Sequence, residues 1–269
     1  MMDLVLLIWY FFSYAVFGYI VEVLYCSLGQ RRFVNRGFLH GPYLPIYGFG
    51  ALLVIFFGEI AHNPVFLFLL AFFGTSALEY FTGYLAEHLF NIRLWDYSTY
   101  PFNFKGRICL LNSSLFGLLS LVVNYIIHPF LSSLIYSLDK SILGPGSMII
   151  VLLLSVDSTS SIFRMSAFQK QLSEFRVKKG EIENRLKILR NFKENKMLEG
   201  LRVRLDVELD DLRLHMTTSA KRILNAFPSL TSSNEEKRLL LENLRKSIKE
   251  NSLHKRFHDS RNRSKKRDD

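Results

Sequence analysis

The chain has 269 residues, 49% of them hydrophobic, and a formal net charge of +10. Residues 1–167 hold eight basic and eight acidic side chains, so the whole excess of positive charge lies in residues 168–269. This division excludes a uniformly soluble chain and predicts a membrane domain followed by a basic cytosolic appendage. The two cysteines, Cys26 and Cys109, are both predicted near the reducing cytosolic side, which argues against a structural disulfide.

Five apolar segments predict membrane-spanning helices, at residues 4–28, 43–60, 64–85, 108–127 and 147–163. The first exceeds the roughly 20 helical residues that a hydrocarbon core requires. It lacks a basic leading segment and is too long for the apolar core of a signal peptide, so we expect a retained helix. The predicted fold class is therefore all-α, a polytopic membrane helix bundle with a cytosolic helical extension.

Proline and glycine mark the expected ends of these helices. Pro64 is acceptable in the first turn of the third helix. The pair His128-Pro129 is predicted to end or kink the fourth helix, and Gly144-Pro145-Gly146 to introduce the fifth.

Basic residues in the short loops predict the orientation. The loop after the second segment holds no lysine or arginine, and the loop after the fourth holds one. Basic residues are frequent again from Arg164 onward. Because basic loops stay in the cytosol, this alternation predicts five crossings with the N-terminus outside and the C-terminus inside. The basic residues that follow the first and third segments are Arg31, Arg32, Arg36, Arg93, Lys105 and Arg107.

The predicted domains are a membrane domain at residues 1–167, cytosolic amphipathic or coiled helices at 168–227, and a capped amphipathic helix with a disordered basic tail at 228–269. The second domain is expected to form either two amphipathic helices or one helix interrupted near Asn195 and Gly200. The third begins at Ser233–Glu236, which matches a capping box. Apolar residues recur at helical spacing in the second domain, at Ile182, Leu186, Leu189, Met197, Leu201, Leu205, Leu209, Leu212 and Met216.

The basic end of the chain, residues 254–269, is expected first to be a solvated tail that binds nothing. If it has a partner, anionic lipid headgroups are favoured over nucleic acid. Its single apolar residue is Phe257, so it lacks the interleaved aromatic side chains of a nucleic-acid stacking platform.

Acidic residues inside the apolar segments are the sharpest chemical signal. Glu22 and Glu79 are predicted at a similar depth, and helical spacing places Glu79, Tyr80 and Glu87 on one broad face of the third helix. Such residues should face other helices or a water-filled cavity, where they would bind a cation or proton or line a substrate path. The alternative is that they anchor helices through Arg36, Arg93 or tyrosine hydroxyls. Asp157, in the fifth segment, is expected to be satisfied by the hydroxyls of Ser155, Ser158, Thr159 and Ser160.

Catalytic motifs are missing from the sequence. The histidines at 40, 62, 88 and 128 have no metal-ligand spacing, and neither HExxH nor a P-loop motif occurs. Ser113 and Ser114 precede His128 by about four helical turns, too far for a nucleophile and its base. The sequence therefore predicts no catalytic residue, no metal, no cofactor and no enzymatic activity.

Residues 36–48 contain three glycines and two prolines, which cannot form an uninterrupted helix. At the edge of a bilayer such backbone must be hydrogen-bonded, so we expect a built loop. A second loop, residues 95–107, is predicted at the same cytosolic face. Together the two loops would form a cap over Glu22 and Glu79.

These motifs, in this order, resemble the bacterial type IV ABC-transporter family of CmpB-like permeases. The resemblance runs from Phe12 to Pro129 and departs from the family pattern at Leu94 and Phe116, where tryptophans are usual. It is carried by Glu22, Glu79, Tyr80 and Glu87 in the first and third segments, by a loop motif at Asn35, Arg36, Gly37, His40, Gly41, Pro42, Pro45, Tyr47 and Gly48, and by an interfacial motif at Arg93, Trp95, Asp96, Tyr97, Ser98, Pro101, Asn103, Gly106 and Arg107.

The resemblance implies a permease-like component of a transport complex in the bacterial inner membrane, energised by a separate cytosolic ATPase that docks on the two loops. One alternative is a membrane scaffold or sensor that recruits a cytosolic partner through its helical tail. Another is an envelope-lipid enzyme that uses Glu22, Glu79 and Arg36. A homo-oligomer is a further candidate assembly, whereas nucleic acid is not an expected partner.

Overall fold

The computed structural model describes residues 3–30, 34, 37–190, 196–227 and 229–248. These residues are mostly helical, as predicted. The helices are α1 (Leu4–Gln30), α2 (Pro45–Ile60), α3 (Pro64–Phe90), α4 (Leu110–Val122), α5 (His128–Tyr136), α6 (Lys140–Arg190), α7 (Lys196–Ala226) and α8 (residues 235–248), and two short antiparallel strands, β1 (Asn103–Phe104) and β2 (Ile108–Cys109), lie between α3 and α4.

Four helical stretches among the described residues are long and apolar enough to cross a membrane: Leu4–Leu28, Pro64–Phe90, Leu110–Tyr136 and Ser141–Leu189. The remaining apolar segment forms α2, which is a shorter helix of 16 residues. At 1.5 Å per residue it rises about 24 Å, less than the roughly 30 Å of a hydrocarbon core. The expectation of membrane-length apolar helices is thus confirmed for four of the five segments.

Helix α1 packs against α2 and also reaches the later helices of the first unit. A hydrogen bond of 2.8 Å between the Tyr10 hydroxyl and Ser132 Oγ joins it to α5. The Trp9 indole donates to the carbonyl of Leu143 in α6 at 3.0 Å. Tyr10 and Tyr14 are buried in one apolar cluster with residues of α2, α3, α5 and α6.

The fourth apolar segment differs from its predicted form. Residues 108–109 belong to β2, and the helix does not end at Pro129 but continues to Tyr136 through a π-helical turn at Val123–Ile127. Pro129 lies in the first turn after that π-helical stretch, a position where a missing N–H is tolerated. Within the turn, the Asn124 carboxamide donates to the Val54 carbonyl of α2 at 2.9 Å.

The fifth segment also begins earlier than predicted. Asp139 caps the start of α6 by accepting the backbone N–H of Ser141 at 2.9 Å, and Gly144-Pro145-Gly146 lie inside the helix. Gly146 faces the Trp9 indole, so a side chain at this position would collide with the ring. The helix ends at Arg190.

The chain divides into two compact units, Met1–Arg164 with Ala226–Leu230, and Met165–Asn225 with Thr231–Asp269. In the second unit, Ile182, Leu186 and Leu209 form a buried cluster with two further leucines of α7. These residues belong to the apolar series expected from helical spacing, and Gly200 lies inside α7 rather than at an interruption. Residues 191–195, Pro228 and the basic tail at 254–269 lie outside the described residues.

The start of α8 differs from the predicted capping box by one residue. The Asn234 side chain accepts the backbone N–H of Lys237 at 3.1 Å, so Asn234 rather than Ser233 is the N-cap. The preceding Ser232 hydroxyl accepts the Asn234 N–H at 3.2 Å and fixes that residue in the capping position.

Candidate functional site

A cavity of about 240 Å³ lies among α1, α2, α3 and α4 in the first unit. Its wall is mostly apolar, with side chains such as Phe17, Val54 and Leu78. Glu22 of α1 and Glu79 of α3 both line it, so the structure brings these two sequence-predicted residues together. The loops before α2 and after α3 also contribute to the wall, through Gly37, Leu44, Leu94, Trp95 and Tyr97.

Glu22 is held by a tyrosine that enters through a gap in α1. The gap is Gly18, one helical turn before Glu22, where any side chain would overlap the Tyr47 ring. The Tyr47 hydroxyl donates to Glu22 Oε2 at 2.7 Å. Helix α2 begins at Pro45, two residues before Tyr47, where the loop at residues 36–48 ends. We call this segment the Gly/Pro loop, and its end fixes where the Tyr47 hydroxyl reaches the carboxylate.

Glu79 is held in a similar way by the loop that follows α3. Its side chain is buried, with 6% of its surface exposed, and Oε1 accepts the Tyr97 hydroxyl at 3.0 Å. One turn further along α3, Gly83 lies against the Trp95 ring, whose indole donates to the Arg107 carbonyl at 2.9 Å. Glu79 Oε2 has no hydrogen-bond partner among the described residues.

Burial raises the pKa of the Tyr97 phenol well above its usual range, and the negative charge of Glu79 raises it further. The phenol therefore keeps its proton and acts as a hydrogen-bond donor to Glu79 across the physiological range.

Glu87 and Tyr80, the other two predicted path residues, are not among the residues that line the cavity. Glu87 accepts Arg93 Nε at 3.0 Å and Arg107 Nη2 at 2.7 Å. The Arg107 guanidinium also donates to the Tyr80 hydroxyl at 3.1 Å and lies over the Tyr80 and Tyr84 rings. This cluster ties the loop after α3 to the end of that helix.

The interfacial motif forms a compact hairpin around β1 and β2. Asn103 organises it, since its side-chain amide donates to the Tyr100 carbonyl at 2.8 Å and its Oδ1 accepts the Gly106 N–H at 3.1 Å. Gly106 has a φ of +68°, in the left-handed region that favours glycine, and its carbonyl accepts the Tyr97 N–H at 2.8 Å. Asp96 accepts the backbone N–H of Ser98 at 2.9 Å. The hairpin therefore holds Trp95 and Tyr97 against α3.

Asp157 of α6 binds the Gly/Pro loop. It accepts the backbone N–H groups of His40 at 3.0 Å and Gly41 at 2.8 Å, and the Tyr43 hydroxyl at 2.7 Å. His40 Nδ1 lies 2.9 Å from Asp157 Oδ1 and also contacts Arg164.

The expectation that nearby hydroxyls of the chain would satisfy Asp157 holds only in part, because most of its donors come from the loop. Loop N–H groups and a phenol bind it, and among nearby hydroxyls Ser161 donates to it at 3.3 Å. Asn35 and Arg36 of the loop motif lie outside the described residues.

Comparison with known families agrees with the resemblance. Residues 9–162 match the family described as Putative ABC-transporter type IV. The chain belongs to this family. No curated protein and no solved structure matched the chain in the same comparisons.

In this member of the type IV ABC-transporter family, the match extends past Pro129 into α6 and so includes Asp157. The family and the four apolar helices together fit a membrane protein that is a transporter component. The contact of Asp157 with the loop was missed from sequence. The available signal was an acid in an apolar helix together with a Gly/Pro loop, whose irregular backbone must find hydrogen-bond partners.

Proposed function

We propose that this protein is a multi-pass cell-membrane component of a transport complex, permease-like and energised by a separate cytosolic ATPase. The observation that carries the proposal is the cavity lined by Glu22 and Glu79. Glu79 is buried and Glu22 is half-buried, and carboxylates inside apolar helices are costly and mark ligand or ion pathways in membrane proteins. The family description supports transport rather than catalysis.

The hydrogen bonds to the two carboxylates suggest how a partner could act on the cavity. Tyr97 donates to Glu79 and belongs to the hairpin whose neighbouring residues 98–100 are exposed. A partner that moves the hairpin would therefore withdraw the hydrogen bond from Glu79 and shift Trp95 in the cavity wall. Docking at residues 98–100 would in this way couple nucleotide hydrolysis to the state of the site.

The orientation follows from charge. Arg93, Lys105 and Arg107 lie in the loop that carries the hairpin, and the positive-inside rule assigns such a loop to the cytosol. The loop before α2 lines the same cavity and would lie on the same side. A cytosolic ATPase would then approach the face formed by these two loops.

Affinity purification of the full chain in mild detergent, with identification of partners, tests this proposal. We expect an ATPase with a P-loop to co-purify and to be lost when Thr99, an exposed hairpin residue, is changed in Thr99→Arg. His62→Arg, an equally exposed change between α2 and α3, is the matched control and should retain the partner. Recovery of the wild-type protein without any ATPase would contradict the proposal.

A further inference from the structure

Two polar atoms at the cavity are left without a partner. Glu79 Oε2 and the Tyr14 hydroxyl are both buried and make no hydrogen bond to any described residue. The two side chains are 6% and 3% exposed, and both line the cavity. A buried acceptor without a donor costs free energy, on the order of 1–3 kcal/mol and more when the group is charged. A ligand that donates a hydrogen bond to Glu79 would remove that cost.

The chemistry of the wall favours a positively charged donor. The described residues that line the cavity include no lysine, arginine or histidine, and two of them are glutamates. Trp95, Phe116 and Tyr14 add aromatic rings, which attract cations through their faces. The wall therefore contains acidic and aromatic groups, both of which favour a positively charged group on a ligand.

The same wall does not suit a metal ion. Among the described residues no group of three or more histidine, cysteine or acidic side chains could hold a metal. A hard cation such as Ca²⁺ takes about six to eight oxygen ligands, whereas most of this wall is hydrocarbon. An organic cation needs few polar contacts and buries its carbon skeleton against such a wall.

We propose that the cavity binds a small organic cation, whose ammonium group donates to Glu79 Oε2 while its apolar body packs against the surrounding side chains. This assignment rests on the proposed transport function and names the class of molecule carried. A cavity volume of about 240 Å³ lies just below the roughly 300–1,000 Å³ of typical ligand pockets, which limits the ligand to a small molecule.

Calorimetric titration of the purified full chain with matched probes tests the charge requirement. Phenethylammonium, cyclohexylammonium and butylammonium present one ammonium group on apolar bodies of different size, and 2-phenylethanol and 3-phenylpropanoate replace the cation by a neutral or anionic group. We expect at least one ammonium probe to bind, the alcohol to bind about tenfold more weakly or worse, and the carboxylate not to bind. No binding by any ammonium probe, or equal binding by the alcohol, would overturn the inference.

Two variants locate the site. Glu79→Gln keeps the shape of the side chain and should weaken ammonium binding about tenfold or more, and Glu59→Gln, an exposed carboxyl on α2 outside the cavity, should leave it unchanged. If Glu79→Gln does not fold, Gly50→Leu decides the question.

Gly50 lines the cavity, and a Cβ there would make only ordinary contact with Leu78, at 3.9 Å, so a side chain can start at this position and occupy space in the cavity. Undiminished binding in Gly50→Leu would place the ligand elsewhere and refute the inference. None of these results depends on co-purification of an ATPase, so failure of the ligand assignment and failure of the transport proposal are distinguishable.

Discussion

The carboxylates of the membrane domain differ in the donors that hold them. Glu87 accepts from two guanidinium groups, and Asp157 accepts from backbone N–H groups and a phenol. Each of these carboxylates therefore has donors that offset its burial. Glu79 has a single phenol on one oxygen and nothing on the other among the described residues. Protein donors thus satisfy Glu87 and Asp157, whereas the proposed ligand would supply the donor that Glu79 Oε2 lacks among the described residues.

Asp157→Asn should loosen the Gly/Pro loop. Asp157→Asn removes the charge that strengthens the hydrogen bonds from His40, Gly41 and Tyr43, and its NH₂ group cannot accept, so the His40 N–H, which donates to both carboxylate oxygens at 3.0 Å, loses one of its two acceptors. We expect a loss of stability of about 2 kcal/mol and faster hydrogen exchange at the His40 and Gly41 amides, measured by mass spectrometry in detergent. Ser160→Ala, at an exposed position on the same helix, is the control. Unchanged exchange at these amides would show that Asp157 does not hold the loop.

The bounds of the apolar segments were enough to predict that Glu22 and Glu79 lie at a similar depth, because both acids fall toward the C-terminal ends of their helices. It could not predict their donors. Tyr47 and Tyr97 reach them only because Gly18 admits the first ring and the hairpin around Asn103 orients the second. Both depend on contacts between elements that no local pattern specifies.

At the level of elements, helix ends next to proline were the least predictable feature. The sequence predicts a helix end or kink at Pro129 and a helix start after Pro145, but both prolines lie within continuous helical stretches. Pro129 follows the π-helical turn, and Pro145 is flanked by glycines of which one receives the Trp9 ring. Tertiary packing offsets the missing N–H groups at these sites, so propensity alone misplaced the ends. Helices α1 and α3, which have no internal proline, matched their predicted starts.

The packing of α2 against the π-helical turn depends on the absence of a side chain at Gly58. A Cβ at this position would overlap the Asn124 carboxamide, which donates to the Val54 carbonyl one turn earlier. We expect Gly58→Ala to lower the thermal stability of the purified protein, at a cost of about 1–3 kcal/mol.

The matched test is the double variant Gly58→Ala, Asn124→Ala, which removes the overlapping group. It should be more stable than the sum of the two single changes implies, giving a coupling energy that a double-mutant cycle measures. Simple additivity would mean that the two residues do not meet in the folded protein. Gly144→Ala, where a Cβ meets nothing, is the control for adding a methyl group to a helix.

At the scale of the whole molecule, the loops before α2 and after α3 line the same cavity, so the ends of α1 and α3 from which they emerge lie at one side of the first unit. Helix α2 must then return the chain to the opposite side before α3 begins at Pro64. Its rise of about 24 Å is short for this crossing. A local thinning of the bilayer, or cover from neighbouring helices at its ends, would accommodate the difference.

Cysteine labelling in intact cells tests this arrangement. In a Cys26→Ser, Cys109→Ser background, one cysteine at a time replaces Ser98 in the hairpin, His62 before α3, or Ser137 before α6, all of which are exposed. If α2 crosses and the hairpin is cytosolic, a membrane-impermeant maleimide should label His62→Cys and Ser137→Cys from outside and reach Ser98→Cys only after the membrane is opened. Labelling of Ser98→Cys and His62→Cys from the same side would mean that α3 does not cross. Because α3 carries Glu79 within its apolar length, that result would also remove the reason for treating the cavity as a site inside the membrane.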